Sequence, residues 1–195
     1  MFFTCHGLDW KRKKWPWWAS GLIYLGELSA VRFAQHRIVV SQELQLYYEK
    51  TYGIQTTYIP NGIQPVASRT PDLIQQWGLS EKSYFLWLGR IVPEKRIEDV
   101  IRAYLQKPRK SRLVIVGDHA AAGPYMNELI QAAQNEPSII FTGYQYGAVL
   151  AELFSNTRAF ITASELEGLP ITLLEALSYG VMCATSDIGP HRELM

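Results

Sequence analysis

The chain alternates short, strongly apolar runs with longer segments whose apolar residues recur at helical spacing. Many of the short runs are rich in β-branched and aromatic residues, as buried strands are. Strands and helices that alternate in this way wind a parallel sheet, so we predict an α/β fold. The predicted strands are Tyr84–Leu88, Leu113–Val116, Ile139–Phe141, Ala159–Thr162 and Met182–Thr185, and the predicted helices are Ile97–Leu105, Tyr125–Ala133, Val149–Phe154 and Pro170–Tyr179.

A second, smaller set of elements precedes this sheet. The stretch from Gln64 to Thr70 contains Pro65 and small polar residues and resembles an interdomain linker. We therefore place a boundary near residue 66, with residues 1–66 in one Rossmann-like domain and 67–195 in another. The sequence begins within a predicted strand and stops soon after a predicted helix start, so we expect a protein truncated at both ends. The upstream predictions are a strand ending at Cys5, a strand at Arg37–Ser41, a helix at Gln42–Tyr52 and a strand at Thr57–Ile59, and a last helix begins at His191.

Polar or glycine-bearing turns follow every strand of the larger sheet. Because the carboxyl ends of parallel strands share one edge, and ligands bind at that edge, we expect the functional site there. The turns are Gly89-Arg90, Gly117-Asp118, Thr142-Gly143, Ser164-Glu165 and Ser186-Asp187.

Composition excludes several classes of protein. Nineteen basic and eighteen acidic side chains leave a formal charge of +1, so no overall field draws the protein to nucleic acid. The basic run Lys11–Lys14 is too short for a nucleic-acid footprint.

The two cysteines, Cys5 and Cys183, have no CxxC spacing, which favours a reduced, cytoplasmic setting. The uncharged stretch from Trp15 to Gly26 is shorter than the roughly 20 residues that span a bilayer. It imitates a signal peptide, but Pro16 and the tryptophans interrupt it.

The E-x7-E motif, Ser164–Ala176, is the most specific feature of the sequence. Its two carboxylates are Glu167, in a predicted loop, and Glu175, inside a helix opened by Pro170. The free N–H groups at such a helix start suit a diphosphate, and Glu175 can reach sugar or ribose hydroxyls. Taken singly, each glutamate could equally be a helix-dipole partner or part of a solvated face.

The cationic loop, Leu88–Arg96, follows the first strand of the larger sheet. Gly89 lets a ligand approach the backbone, and Arg90 and Lys95 place two positive charges at the same edge. These cations could neutralise a leaving diphosphate, or they could merely cap surface turns. No two aspartates stand two residues apart and no carboxylates cluster in the loops, so we predict no metal site and no cofactor.

The third candidate is His6-Gly7, just past the first strand; a lone histidine there is more often structural. Together, the E-x7-E motif, the cationic loop and this histidine resemble glycosyltransferase family 4, in the family's order and over the chain from His6 to Asp187. The resemblance implies a GT-B fold, here a partial amino-terminal domain and a nearly complete carboxyl-terminal domain that binds a nucleotide sugar. The residues it implies are His6 and Glu167 as catalytic, Gly168 and Leu169 against the sugar, Glu175 at the ribose, Gly89, Arg90 and Lys95 at the diphosphate, and Tyr144 near the base.

The activity that the resemblance implies is transfer of a sugar, of the EC 2.4 type, from a nucleotide diphosphate sugar to a glycan or lipid-linked acceptor. Members of the family typically retain the anomeric configuration. Part of the amino-terminal domain and the closing helix of the family are missing here, so the alternative is a non-catalytic nucleotide-sugar-binding fragment that needs a partner chain. The segment Trp10–Leu25, with its basic run and tryptophans, adds the hypothesis of peripheral contact with an anionic membrane at the inner face. The alternative is that these tryptophans are core residues.

Overall fold

The computed structural model describes residues 1–12, 15–106, 110–118 and 123–195, and these residues form two parallel sheets with helices, which confirms the α/β fold class. They divide into two compact units. The first comprises Met1–Gly62, Leu166–Ile171 and Asp187–Met195, and the second comprises Ile63–Glu165 and Thr172–Ser186. The linear division near residue 66 stays a prediction.

The sheet of the first unit has three described strands in the order β1-β2-β3, all parallel. Ser41 begins the second helix, because its hydroxyl accepts a hydrogen bond from the Leu44 amide at 3.3 Å. The strand predicted at Arg37–Ser41 therefore ends earlier, at Val39. Gly53, with φ at +66°, ends the helix in the left-handed conformation that glycine adopts without strain. The elements are β1 (Phe2–Cys5), α1 (Trp17–Phe33), β2 (His36–Val39), α2 (Gln42–Tyr52) and β3 (Thr57–Tyr58).

Helix α1 is the largest element that the sequence pattern did not predict. Its apolar residues lie on all sides of the helix, so the stretch has no clear 3.6-residue period to reveal it. The helix buries Glu27 and Ala30. On the other side, its first three turns expose Trp17, Trp18, Leu22 and Leu25, a surface that we call the α1 apolar face.

A buried carboxylate organises the contacts between α1 and its neighbours. Glu27 accepts hydrogen bonds from the Trp10 indole at 2.9 Å and from the hydroxyls of Tyr47 and Tyr52 at 2.8 and 2.7 Å. Burial, together with the bond to Glu27, raises the pKa of Tyr47 to about 12. The Lys11 ammonium lies over the rings of Trp10 and Tyr47. Trp10 is thus packed within the first unit, and Lys11 is exposed beside it.

The sheet of the second unit has five described strands in the order β6-β5-β4-β7-β8. The predicted strands are confirmed, with one difference of note: Thr142-Gly143, expected as a turn, lies inside β6. The run Leu113–Val116 is inaccessible on both faces, as in a sheet covered by helices on both sides. The elements are β4 (Tyr84–Leu88), α3 (Ile97–Leu105), β5 (Arg112–Val116), α4 (Pro124–Ala132), β6 (Ile139–Gly143), α5 (Gly147–Asn156), β7 (Ala159–Thr162), α6 (Ile171–Ser178) and β8 (Cys183–Thr185).

The last segment of the chain packs within the first unit. Its helix α7 (Gly189–Arg192) begins two residues before the predicted start. The Glu193 carboxylate accepts a hydrogen bond from the Gln42 amide at 2.8 Å and another from the Tyr58 hydroxyl at 2.6 Å. A carboxylate at the first turn of α2 satisfies a free N–H group and opposes the helix dipole. No helix within the described ranges is both long enough and apolar enough to cross a bilayer.

Candidate functional site

The strand order of the second unit fixes where a ligand is expected. The sheet grows from β4 in both directions, with β5 on one side and β7 on the other. Crevices form at such a switch point, outside the carboxyl ends of the two diverging strands. β4 runs into the cationic loop there, and β7 runs into Ser164-Glu165 at the start of the E-x7-E motif. A hydrogen bond from the Glu165 amide to the Glu94 carbonyl, at 2.9 Å, joins the two loops.

The strand ends at this edge pack backbone against backbone. The Gly89 amide donates to the Val116 carbonyl, and the Gly117 amide donates to the Gly143 carbonyl, each at 3.1 Å. A Cβ on Gly117 would overlap the Gly89 carbonyl and lie 2.8 Å from Cγ1 of Ile91. A Cβ on Gly89 would make only ordinary contact with the Trp87 ring, at 3.4 Å. Close packing therefore requires glycine at position 117. At position 89 packing does not require glycine, so the backbone there has room for a neighbouring group.

Of the two cations of the loop, Lys95 ends a short 3-10 turn, Pro93–Lys95, and Arg90 precedes this turn. Arg90 is exposed and Lys95 is partly exposed, so both can meet a ligand. Arg96, which follows, adopts a left-handed conformation with φ at +51° and forms an ion pair with Asp99 at 2.7 Å. Arg96 thus joins the end of the cationic loop to the start of α3.

Glu175 lies on the fifth residue of α6 and is half-buried. Burial raises the pKa of its carboxyl above the usual range. Burial and the neighbouring Glu175 raise the pKa of Tyr179 as well. The half-buried position and the raised pKa distinguish Glu175 from a glutamate on a fully solvated helix face. Partly dehydrated carboxylates with raised pKa values are typical of binding and catalytic sites.

Two tyrosines follow β6 at the same sheet edge. Tyr144 and Tyr146 are 70% and 73% exposed, and their ring centroids lie 6.0 Å apart. Tyr146 was missed from the sequence. The available signal was its proximity in sequence, since Tyr146 stands only two residues after Tyr144. Exposed aromatic rings offer a stacking surface for a planar base.

The remaining predicted residues fold with the first unit. Residues 166–171 hold the partly exposed Glu167 and the buried Gly168 and Leu169. A Cβ on Gly168 would overlap the His6 carbonyl oxygen and lie 2.7 Å from its carbon. The Leu169 carbonyl accepts a hydrogen bond from the Asn61 side chain at 2.9 Å. Asn61 is a second residue missed from the sequence, where it read as part of a Pro-Asn-Gly turn.

His6 is exposed at the carboxyl end of β1. The turn after it is held by local bonds: the Asp9 amide donates to the Gly7 carbonyl at 3.1 Å, and Asp9 pairs with Arg12 at 2.5 Å. The first unit therefore brings His6 together with Gly168 and its neighbours. The second unit holds Gly89, Arg90, Lys95, Tyr144 and Glu175.

Residues 70–195 match the family described as glycosyl transferases group 1, and this match covers most of the chain. The chain belongs to this family. This group 1 glycosyltransferase chain is 32% identical over 142 residues to the alpha-monoglucosyldiacylglycerol synthase of Streptococcus pneumoniae. The alignment covers 65% of this chain and 31% of that protein. It is 26% identical over 190 residues to the lipopolysaccharide 1,6-galactosyltransferase of Salmonella typhimurium, covering 91% and 50%. The chain thus spans half or less of the length of these two relatives.

Solved structures agree on the fold of this group 1 glycosyltransferase chain. It superposes on Anabaena HepE, crystallised with UDP and glucose, with a TM-score of 0.84 and 22% identity, covering all of this chain and 55% of HepE. A sucrose-phosphate synthase from Thermosynechococcus elongatus gives a TM-score of 0.80 at 21% identity, covering 96% of this chain and 50% of that one. The GT-B type of fold predicted from the sequence is confirmed. In the part of the chain that the structure describes, no three His, Cys, Asp or Glu residues group as metal ligands do.

Proposed function

We propose that the protein transfers a sugar from a nucleotide diphosphate sugar to a glycan or lipid-linked acceptor, with retention of anomeric configuration. The observation that carries the proposal is the switch point of the second unit, where the cationic loop and the E-x7-E motif start from neighbouring strands and are joined by the Glu165–Glu94 hydrogen bond. The family of the chain and the UDP and glucose bound by Anabaena HepE support it.

In this proposal Arg90 and Lys95 bind the diphosphate. Both stand at the carboxyl edge of β4, on a loop whose Gly89 leaves the backbone open to a ligand. Positive charge placed in advance where negative charge develops is an effective way to lower a barrier, because nothing has to reorganise as the bond breaks. The two cations thus stabilise the departing nucleoside diphosphate. We propose that they do so without a metal ion or another cofactor.

Glu175 and Tyr144 hold the nucleoside in the same proposal. The raised pKa of the Glu175 carboxyl reflects a partly dehydrated site, and ribose hydroxyls that donate to the carboxylate would replace the lost water. Tyr144 with Tyr146 provides an aromatic surface for the base. Neither contact chooses between uracil and guanine, so the tests below use both UDP and GDP.

The sugar meets Glu167, the backbone of Gly168 and Leu169, and His6. In the retaining reaction the bond between the anomeric carbon and the phosphate oxygen breaks, and an acceptor oxygen forms a bond to the same face. The acceptor proton passes to the departing phosphate oxygen, which balances the step. Glu167 and the neighbouring amides orient the sugar hydroxyls, and His6 lies against the reacting face.

Transfer is tested with UDP-glucose and GDP-mannose as donors and the intact protein as enzyme. Product formed by the wild type and lost in Arg90→Ala supports the proposal, and an unchanged rate in EDTA supports the metal-free assignment. Strong inhibition by EDTA would refute that assignment. The alternative, a non-catalytic module, is favoured if UDP or GDP binds but the purified chain shows no turnover until a partner chain is added.

Peripheral contact with anionic membrane is the second proposal, and it also rests on the cytoplasmic location that the cysteine usage favours. Trp17 is 87% exposed and Trp18 57% exposed at the start of the α1 apolar face. Tryptophan and leucine on one helix face are typical of helices that lie in a bilayer interface. Two relatives have lipids in their names, a monoglucosyldiacylglycerol and a lipopolysaccharide.

The membrane proposal differs from the sequence-based hypothesis in its residues. The Trp10 indole donates to Glu27 and Arg12 pairs with Asp9, whereas Lys11 is exposed beside the Tyr47 ring. The proposed contact surface therefore centres on Trp17 and Trp18. Lys13 and Lys14 lie outside the described residues. Co-sedimentation with vesicles of phosphatidylglycerol and phosphatidylcholine should fall in a Trp17→Ser, Trp18→Ser variant and not in Leu46→Ser, a matched exposed leucine on α2. Equal sedimentation of both variants, or none with the wild type, would contradict it.

A further inference from the structure

The segment of the E-x7-E motif that we assign to the sugar is tied to the first unit at two points. At one point Gly168 lies against the His6 carbonyl so closely that no side chain fits between them. At the other, the Asn61 amide nitrogen donates to the Leu169 carbonyl at 2.9 Å, across 108 residues of sequence. The contact of Gly168 is steric and does not fix the orientation of a peptide group. The Asn61–Leu169 hydrogen bond is directional and fixes the plane of the peptide group that contains the Leu169 carbonyl.

The chemistry of this bond requires a donor at position 61. A carbonyl oxygen only accepts, so the Asn61 side chain must present its NH2 group. Leu169 is 5% exposed and Asn61 is partly exposed, so the Asn61 side chain partly covers this carbonyl from solvent. A buried carbonyl without a partner is costly, so the segment would shift to expose it when the donor is removed. Aspartate has nearly the shape of asparagine, but its carboxylate would repel the carbonyl.

We propose that Asn61 is a positioning residue: its side chain sets the orientation of the backbone from Glu167 to Leu169 and thereby the affinity for the donor sugar. The inference rests on the proposed function for the role of that backbone. Asn61 itself lies after β3, outside the E-x7-E motif, and acts through the Leu169 carbonyl. Asn61 restricts the backbone amides from Glu167 to Leu169 to one orientation, so that less conformational entropy is lost when the sugar binds.

Hydrogen exchange tests the positioning without any nucleotide. In the intact protein, Asn61→Ala should speed exchange of the amides of Glu167, Gly168 and Leu169 by roughly two- to tenfold, the change expected from one net hydrogen bond. Gln55→Ala, which removes an exposed amide side chain from the turn before β3, is the matched control and should leave these rates unchanged. Unchanged exchange in Asn61→Ala, or equal acceleration in the control, would overturn the proposal.

Kinetics test the consequence for the donor. With UDP-glucose or GDP-mannose, whichever the wild type uses, Asn61→Ala should raise the donor KM by roughly two- to tenfold and leave the acceptor KM unchanged. A merely structural role would affect both substrates alike. In Asn61→Asp the ratio of variant to wild-type donor KM should fall as pH drops from 8 to 5, since the protonated acid regains an O–H donor.

The outcomes separate the two proposals. A donor KM ratio for Asn61→Asp that is flat with pH, like that of Asn61→Ala, would contradict the donor role of residue 61. A wild type that neither binds UDP or GDP nor transfers sugar would refute the proposed function. The exchange measurement would still decide whether Asn61 orders the segment, because it needs no substrate.

Discussion

Replacing Glu175 with glutamine should stabilise the protein at neutral pH and weaken its binding of nucleotide. Burial raises the pKa of this carboxyl, so the folded protein holds the proton more tightly than the unfolded chain. Its contribution to stability is therefore fully present below the unfolded pKa of about 4.3. It is lost as the pH rises through the folded value. Glutamine stays neutral and pays no such cost.

The effect on binding has the opposite sign. A ribose hydroxyl bonded to a carboxylate contributes about 1.5 to 3 kcal/mol, against about 0.5 to 1.5 for a neutral acceptor. The difference of about 1 to 1.5 kcal/mol corresponds to roughly a five- to tenfold higher Kd for each such bond. Calorimetry with UDP and GDP, at pH 7.5 on the intact protein, measures it.

The assay for stability is urea unfolding of wild type and Glu175→Gln between pH 4 and 8. The unfolding free energy of the wild type relative to the variant should fall across this range. Glu136→Gln is the control with the opposite trend, because hydrogen bonds from Ser138 lower the pKa of Glu136. Its contribution is present above the unfolded pKa and lost as the pH falls. A Glu175→Gln variant that is less stable at pH 7.5, or that binds nucleotide like the wild type, would refute the reasoning.

Four further variants test the remaining features. Arg90→Ala and Lys95→Ala should each slow transfer by about 10² to 10³ with little change in melting temperature, whereas a rate that simply follows stability would make the pair structural. Gly168→Ala should destabilise the first unit, because the new methyl overlaps the His6 carbonyl. Gly26→Ala meets nothing within 4 Å in α1 and should stabilise it by up to about 1 kcal/mol, as thermal melts of both variants would show.

The parallel sheet of the second unit was predictable because its strands form continuous apolar runs, and one of these runs is buried on both faces. The run at Leu113–Val116 is fully buried in β5 and is strand from end to end. Helix α1 was not predictable from periodicity, because its apolar residues are not confined to the side that packs. Only Glu27 and Ala30 of this helix are buried, and a buried glutamate breaks the rule that the buried face of a helix is apolar.

The candidate site was predictable as far as strand ends and motifs specify it. The switch point brings the cationic loop beside Ser164-Glu165, as expected for turns at the carboxyl edge. Asn61 could not be found this way, because its bond to Leu169 spans a long stretch of chain and depends on tertiary packing. The half-buried state of Glu175 was likewise invisible in sequence, where a helical glutamate is usually solvated.

The placement of residues 166–171 in the first unit has a practical consequence for anyone who dissects this protein. The family match begins at residue 70, which invites expression of residues 70–195 as an independent domain. Such a fragment would lack both His6, against which Gly168 packs, and Asn61, which holds Leu169. Even if the fragment folded, residues 167–169 of its E-x7-E motif would lose the two contacts that hold them in place. Under the proposed function, the affinity of that fragment for a nucleotide sugar would reflect Glu175 and the cationic loop and would understate the contacts to the sugar.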